Sequence, residues 1–383
     1  MDFAWNATQQ SWHDRAVQFA RSHLADPEAR ERDRQGGFWR QGWNHCAEFG
    51  AQGLPIPEAY GGQGQDPLTT IAAMEGLGYA CNDNGLMFTL NASLWTVSLP
   101  ILEFGTEDQK RRWLPSLCNG QWVGANAASE PESGSDIFSM TTQAVRDGDG
   151  WVLNGRKIWI TGGSVADLLV VFATTNPAKG VLGVTCFVLP TTTPGFRVER
   201  EIPKMGMRTA PMGELVFENC RISGDALLGR EGRGSRIFNA ALEWERGAIL
   251  AFALGAMRRQ LEECVSFARK REQFGKAVGK FQSVSNRIVD MTVRLETSRM
   301  LVQKFAWKKT TGVKEATTEA SMAKLHVTES FLANSLDAVR IYGAQGYIED
   351  SLHERDLRDA IAGPIFSGTN DIQRNILAQQ LRL

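Results

Sequence analysis

In the first third of the chain, apolar residues recur at three- and four-residue spacing, the period of helices with one buried face. Residues 5–24, 38–49, 66–81 and 84–104 are the predicted helices. GLPIPEAYGGQG (53–64), with its prolines and glycines, interrupts them as a loop. From residue 121 the period shortens. GWVLNGRKIWITG (150–162) gives β-rich runs around a tight turn expected at Asn154 and Gly155. Residues 167–175, 183–190, 196–200 and 213–222 are further strand candidates, with Pro and Gly in the gaps. Helical spacing returns at 237–270, 284–311, 313–342 and 371–381. These long runs predict a four-helix bundle, with length to spare for contacts between subunits. The fold class expected is α+β, with a helical domain over 1–120, a β-domain over 121–235 and a helical bundle over 236–383.

Composition narrows the function classes. The 383 residues are 43% hydrophobic and 22% charged with a net charge of -1, the profile of a globular protein. That balance predicts no nucleic-acid groove and no anionic membrane surface. No run of 18 apolar residues occurs, so no membrane span is expected, and the first residues do not resemble a secretory or transit signal. Six dispersed cysteines read as buried free thiols of a reducing, cytoplasmic compartment. The five histidines form no ligand spacing, so no metal is expected.

Several segments carry candidate chemistry. NAASEPESGSD (126–136) is a turn-like stretch of small residues. It either presents backbone N–H groups and hydroxyls to a polar ligand or simply links two domains. In RKIWITGG (156–163), Trp159 and Thr161 are two apart and share a strand face. A planar ring such as a flavin would suit them, and so would a core position. GREGRGSR (229–236) follows no convincing strand, which argues against a dinucleotide-binding turn. In ALEWERGAILAFALG (241–255), Glu243 and Glu245 precede an almost wholly apolar segment. A carboxylate at such a helix entrance would hold its proton more tightly and suit proton abstraction. Equally, both could be first-turn acids favoured by the helix dipole. Two residues apart on a helix, they cannot point the same way. Arg271 and Lys276, in RKREQFGKAVGKFQS (269–283), are candidates for phosphate contacts. Thr369 with Asp371 reads as an ordinary helix cap.

Taken in order, EPESGSD (130–136), WIT (159–161), REQFGKAVGKFQ (271–282) and GTNDIQ (368–373) resemble the motifs of the acyl-CoA dehydrogenase family along nearly the whole chain. The resemblance implies FAD in each subunit of a homotetramer built as a dimer of dimers, a β-barrel-like middle domain, and electron transfer to a partner flavoprotein or to oxygen. It implies that Ala128, Ser129, Gly134 and Ser135 contact the flavin and its polar tail, with Ser135 also meeting substrate. Trp159 and Thr161 would flank the isoalloxazine ring. Arg271, Phe274 and Gln282 would reach the diphosphate and adenine of a neighbouring subunit's FAD. Arg340, Gly343 and Ala344 match a second dinucleotide-contacting stretch, and Thr369 and Asp371 match positions that close the flavin site.

One departure decides the base. Many members carry a catalytic glutamate where this chain has Ser367, which cannot supply a carboxylate. A branch of isovaleryl-type and long-chain-type enzymes places it at the start of a C-terminal-domain helix, and the matching residue is Glu245. Arg246 beside it is expected to bind substrate, and the Ser367 backbone N–H to support the developing enolate. WERG (244–247), residues 173–188, 279–291, 336–343 and 365–373 and the ending QLRL further resemble the branch that oxidises L-prolyl thioesters on carrier proteins. PKMGMRTAPMGE (203–214) lacks the cysteines expected of that branch and looks closer to general acyl-CoA members. The readings carried forward are an acyl- or prolyl-carrier-protein dehydrogenase, a short- or branched-chain acyl-CoA dehydrogenase, and a flavin-binding structural subunit without chemistry.

Overall fold

A computed structural model describes residues 4–313 and 315–383. The first domain holds α1 (Ala7–His23), α2 (Ala29–Gln35), α3 (Arg40–Phe49), α4 (Pro67–Ala80), α5 (Asn84–Ser93), α6 (Leu99–Phe104) and α7 (Glu107–Cys118). Helix starts are written locally. Asn6 and Gln9 form a reciprocal capping box, and Asp66 caps α4 with Pro67 in the first turn. A π-helical turn, Leu94–Ser98, joins α5 to α6. The run Asn84–Phe104 is apolar enough to cross a membrane by composition, yet 89% of it is buried inside the protein. It is a core helix with a bulge.

The second domain is one sheet. Its strands are β1 (Gly124–Ala127), β2 (Gln143–Asp147), β3 (Gly150–Thr161), β4 (Leu168–Thr174), β5 (Val184–Pro190), β6 (Phe196–Glu201), β7 (Met212–Ile222) and β8 (Leu227–Leu228). Their order is β6-β7-β3-β2-β4-β5-β8, with β1 paired parallel to β4 ahead of β2. The turn expected at Asn154–Gly155 is absent. β3 runs straight through it, paired with both β2 and β7, and a bulge between Leu153 and Gly155 absorbs the glycine. A Cβ on Gly155 would lie 2.3 Å from Thr142 Oγ1. The hairpin turn falls instead between Asp147 and Gly150, with Gly148 at φ +61°.

The third domain contains α8 (Gly234–Ala248), α9 (Ala251–Lys270), the two-residue strands β9 (Glu272–Gln273) and β10 (Lys276–Ala277), α10 (Gln282–Thr310), α11 (Thr317–Tyr342), α12 (Ala344–Tyr347), α13 (Leu352–Ala360) and α14 (Asn370–Gln380). The helix expected over 237–270 is thus two helices broken at Ile249–Leu250. The helix expected from 313 begins at Thr317, and residue 314 of that stretch lies outside the described residues. Helices α2, α7 and α13 had no counterpart in the periodicity. α4 lies against α9 at backbone contact. A Cβ on Gly78 would stand 2.1 Å from the Phe252 carbonyl oxygen, and one on Gly255 2.1 Å from that of Glu75. These two glycines let the first and third domains share one core, in which residues 248–254 are almost completely buried. All six cysteines are buried and free.

Candidate active site

The segment leaving β1 is held by a buried ion pair. Glu130 accepts from the Thr141 N–H at 2.6 Å, the Thr141 hydroxyl at 2.8 Å, the Thr142 N–H at 3.0 Å and Lys157 Nζ at 2.8 Å. Lys157 also donates to the Ala128 carbonyl at 2.8 Å. Burial pushes the Glu130 carboxyl up, but Lys157 and the other donors outweigh it and hold the carboxyl down at about 2. Burial lowers Lys157 to about 8 against the pull of Glu130. Glu130 is therefore ionised, while the lysine shifts against the usual direction for an ion pair, because its complete burial outweighs the pull of the carboxylate. This pair pins residues 128–130 to β3, and the Ile158 N–H bonds the Ser129 carbonyl at 3.0 Å. Gly134 and Ser135 are left on the exposed outer limb of the loop.

β3 bulges again between Lys157 and Ile160, where Trp159 takes φ +59°. Such a value strains a bulky residue and marks a place where the fold overrides local preference. Lys157 and Ile158 are consecutively buried, whereas the Trp159 ring is 48% exposed and Thr161 half-buried. The nearest atom to a Cβ on Gly134 would be the Trp159 ring, at 3.9 Å. A half-open indole beside a loop with backbone to spare is a recess whose residues fit a planar ring such as a flavin.

The second cluster lies where α8 ends. Glu243 and Glu245 fall in its last two turns, not at a helix entrance as expected from the apolar run. They diverge. Glu243 pairs with Lys309 and accepts from the Thr317 hydroxyl at 2.7 Å. Glu245 makes no ion pair among the described residues and is crowded by protein, although the residue retains some accessible surface. Burial raises its pKa; Ser367, Arg246 and Lys324 temper the rise. The negative end of the α8 dipole works in the same direction as burial. Arg246 turns to the other wall, donating from Nε to the Ser367 carbonyl at 3.0 Å. Ser367 holds φ +57°, and its hydroxyl, though near Glu245, meets no hydrogen-bond geometry. Its backbone N–H donates to no group among the described residues.

Lys324, which the sequence reading passed over, stands behind this turn. It is fully buried, donates to Asn370 Oδ1 at 2.8 Å and lies 5.7 Å over the Phe366 ring. Burial, then Arg246, lowers it to about 7, while Glu245 opposes the shift. Aromatic pairs flank the cluster. Trp95, on the π-helical turn, stacks on Trp244 at 5.6 Å and 7°, and Phe88 packs on Phe366 at 4.6 Å. Thr369 caps α14 through the Ile372 N–H, and Asp371 is exposed and bonded to Arg374.

The remaining residues singled out from sequence gather elsewhere. Arg271 ends α9 and Gln282 opens α10, while Arg340 and Gly343 close α11 and Ala344 opens α12. All five are exposed. Phe274, at φ +52° on the tip of the β9–β10 hairpin, is 93% exposed. α9 has 20 residues; at 1.5 Å per residue it separates this end of the bundle from Glu245 by about 30 Å.

Comparison with known proteins agrees with this three-part layout. Residues 6–121, 125–220 and 232–382 match the N-terminal, middle and C-terminal domains of acyl-CoA dehydrogenases. An L-prolyl-[peptidyl-carrier protein] dehydrogenase of Pseudomonas fluorescens is 39% identical over 384 residues, covering all of both chains. The crystal structure of the prolyl acyl carrier protein oxidase AnaB superposes with TM-score 0.97 at 47% identity, over 99% of this chain and 100% of that one. The FAD complex of PigA superposes with TM-score 0.96 at 38% identity over the whole of both chains. The chain belongs to the acyl-CoA dehydrogenase family.

Proposed function

We propose that the protein is an FAD-dependent dehydrogenase of acyl thioesters, that Glu245 is its base, and that its substrate is an L-prolyl group tethered to a carrier protein. The observation that carries the reading is the isolation of Glu245. It is a carboxylate crowded by protein, with a raised pKa and, among the described residues, no direct cation partner, and the neighbouring turn offers an N–H that is not taken up there. A thioester carbonyl accepting from the Ser367 N–H would have its α-proton acidified and directed at Glu245. Arg246 holds that turn through the Ser367 carbonyl, so its part is to position the N–H. When bound, FAD supplies the two-electron oxidation. Ala128, Ser129, Gly134, Ser135, Trp159 and Thr161 would hold its ring, with Thr369 and Asp371 at the edge. The Trp95–Trp244 and Phe88–Phe366 pairs bracket Glu245 and Ser367 with bulk, which favours a compact acyl group over a long chain.

The far end of the bundle supports a homotetramer. Arg271, Phe274, Gln282, Arg340, Gly343 and Ala344 lie too far from Glu245 to serve the same flavin ring. Their exposure suits the diphosphate and adenine of a neighbouring subunit's cofactor. The test is anaerobic flavin bleaching with L-prolyl carrier protein, butyryl-CoA and isovaleryl-CoA in separate cuvettes. Rapid bleaching by the prolyl carrier alone is expected. Bleaching by a CoA ester alone would overturn the substrate and leave an acyl-CoA dehydrogenase. Bound FAD that no thioester reduces would leave a structural subunit.

A further inference from the structure

GREGRGSR (229–236) found no place in the reactions above, yet its arginines are set against local preference. Arg233 is the N-cap residue of α8 and Arg236 lies in its first turn, where no acidic residue occurs. The positive end of a helix dipole disfavours cations there. Arg230, Arg233 and Arg236 are all exposed, and none has an ion pair among the described residues; Glu231 is taken up by Arg146. Gly232 lays this segment directly on the 3-10 turns of Pro177–Gly183. Its Cβ would stand 2.7 Å from the Leu182 carbonyl oxygen, and its N–H donates to the Thr185 hydroxyl at 2.9 Å. There Val181 and Leu182 are exposed, Leu182 by 62%. The outcome is an apolar pair bordered by three uncompensated arginines. Like charges gathered at the disfavoured end of a helix beside exposed apolar side chains depart from local preference, as functional surfaces do.

From Arg233, α8 runs to Glu245, a rise of about 18 Å. That is roughly the reach of an extended phosphopantetheine arm. We infer that Val181, Leu182, Arg230, Arg233 and Arg236 form the docking surface for an acidic carrier protein, whose thioester arm then runs beside α8 to the base. The surface rests on the carrier-bound substrate proposed above. Arginines would steer the acidic partner, and the apolar pair would seat it.

The experiment uses the holoenzyme, an L-prolyl-loaded peptidyl carrier protein and, separately, L-prolyl-pantetheine. In the variant R233E/R236E, KM for the carrier is expected to rise at least tenfold with kcat, FAD content and pantetheine turnover unchanged. V181D/L182D should act likewise. Rising salt should lower kcat/KM for the carrier steeply in the wild type and little in R233E/R236E. An unchanged carrier KM in both variants, or equal losses with carrier and pantetheine substrates, would overturn the docking surface while leaving the proposed reaction standing. A loss confined to CoA esters would also overturn it and mark a phosphate site instead. Wild-type enzyme that oxidises CoA esters but no carrier thioester would remove the substrate reading and the surface together.

Discussion

Lys157 and Lys324 are both fully buried, and both influence a glutamate, but the two centres are built for opposite ends. In the middle domain Lys157 bonds Glu130 directly at 2.8 Å, and further donors fill the carboxylate, so the charge is fixed. In the third domain Lys324 is kept off Glu245. Its bond goes to the neutral Asn370, and only its field reaches the carboxylate. Glu130 is driven down to about 2 while Glu245 is driven up. A carboxylate saturated with donors resists protonation and can hold a loop; one left short of donors is free to accept a proton.

The sharpest break of that contrast is Glu245→Gln. Loss of a general base costs on the order of 10²–10⁴ in rate. Anaerobic reduction of the flavin by substrate should fall by about that factor, with FAD still bound and its spectrum unchanged. Full reduction at the wild-type rate would transfer the base elsewhere. The matching break in the other centre, Lys157→Met, should act on stability. It strands Glu130 as a buried charge, at a cost of about 3–5 kcal/mol, measured by denaturant melts, and it should release FAD because residues 128–130 lose their tie to β3. Glu130→Gln combined with Lys157→Met should recover much of the loss, since no charge is then left unpaired. Equal destabilisation in the single and double variants would show that the pair is not the source.

These centres also show what the amino-acid pattern could carry. The apolar run after Glu245 pointed to a carboxylate with weakened solvation, and the motif residues fall into two groups, Trp159 beside Gly134 and Ser367 beside Glu245. The break at Ile249–Leu250 was hidden because neither residue is Gly or Pro, and the nearby Gly247 sits inside α8 against the Phe305 ring. Beyond it α9 packs at backbone contact on α4, and Glu245 ends one helix instead of opening a longer one. Asn154–Gly155 reads as a turn in isolation, but pairing with β7 on the far edge of β3 overrides it. Lys157 and Lys324 were invisible for a simpler reason. Each meets its partner only through tertiary structure, across 27 residues to Glu130 and 46 to Asn370. A strand lysine and a helix lysine read as surface.

Lys324→Met tests whether the field of that lysine tunes the base. A cation favours the ionised carboxylate, so its removal should make Glu245 hold its proton to higher pH. The acid limb of the kcat profile should then move upward, and kcat at pH 6 should drop by about a few-fold. The Thr328 hydroxyl, 3.1 Å from Asn370 Oδ1, keeps the turn in place without Lys324. Lys324 itself titrates at about 7. Above that pH the wild type loses the same charge, and the two profiles should converge. A uniform loss at every pH would mean that Lys324 acts through structure.

The smallest effect separates side chain from backbone at Ser367. Its hydroxyl lies near Glu245 but outside hydrogen-bond geometry with any described residue, its φ is +57°, and only its N–H is proposed to take part in the reaction. Ser367→Gly removes the hydroxyl and relieves a left-handed conformation that costs a non-glycine residue about 1 kcal/mol or more. A glycine also has more freedom to lose on folding, which offsets part of that gain. Stability should therefore shift by less than about 1 kcal/mol, and kcat should stay within about threefold. The hydroxyl tempers the raised pKa of Glu245, so its loss should move the acid limb slightly upward, in the same direction as Lys324→Met and by less. A collapse of kcat in Ser367→Gly, with Glu245 intact and FAD bound, would move the decisive group from the carboxylate to the serine side chain and erase the distinction between the two buried centres.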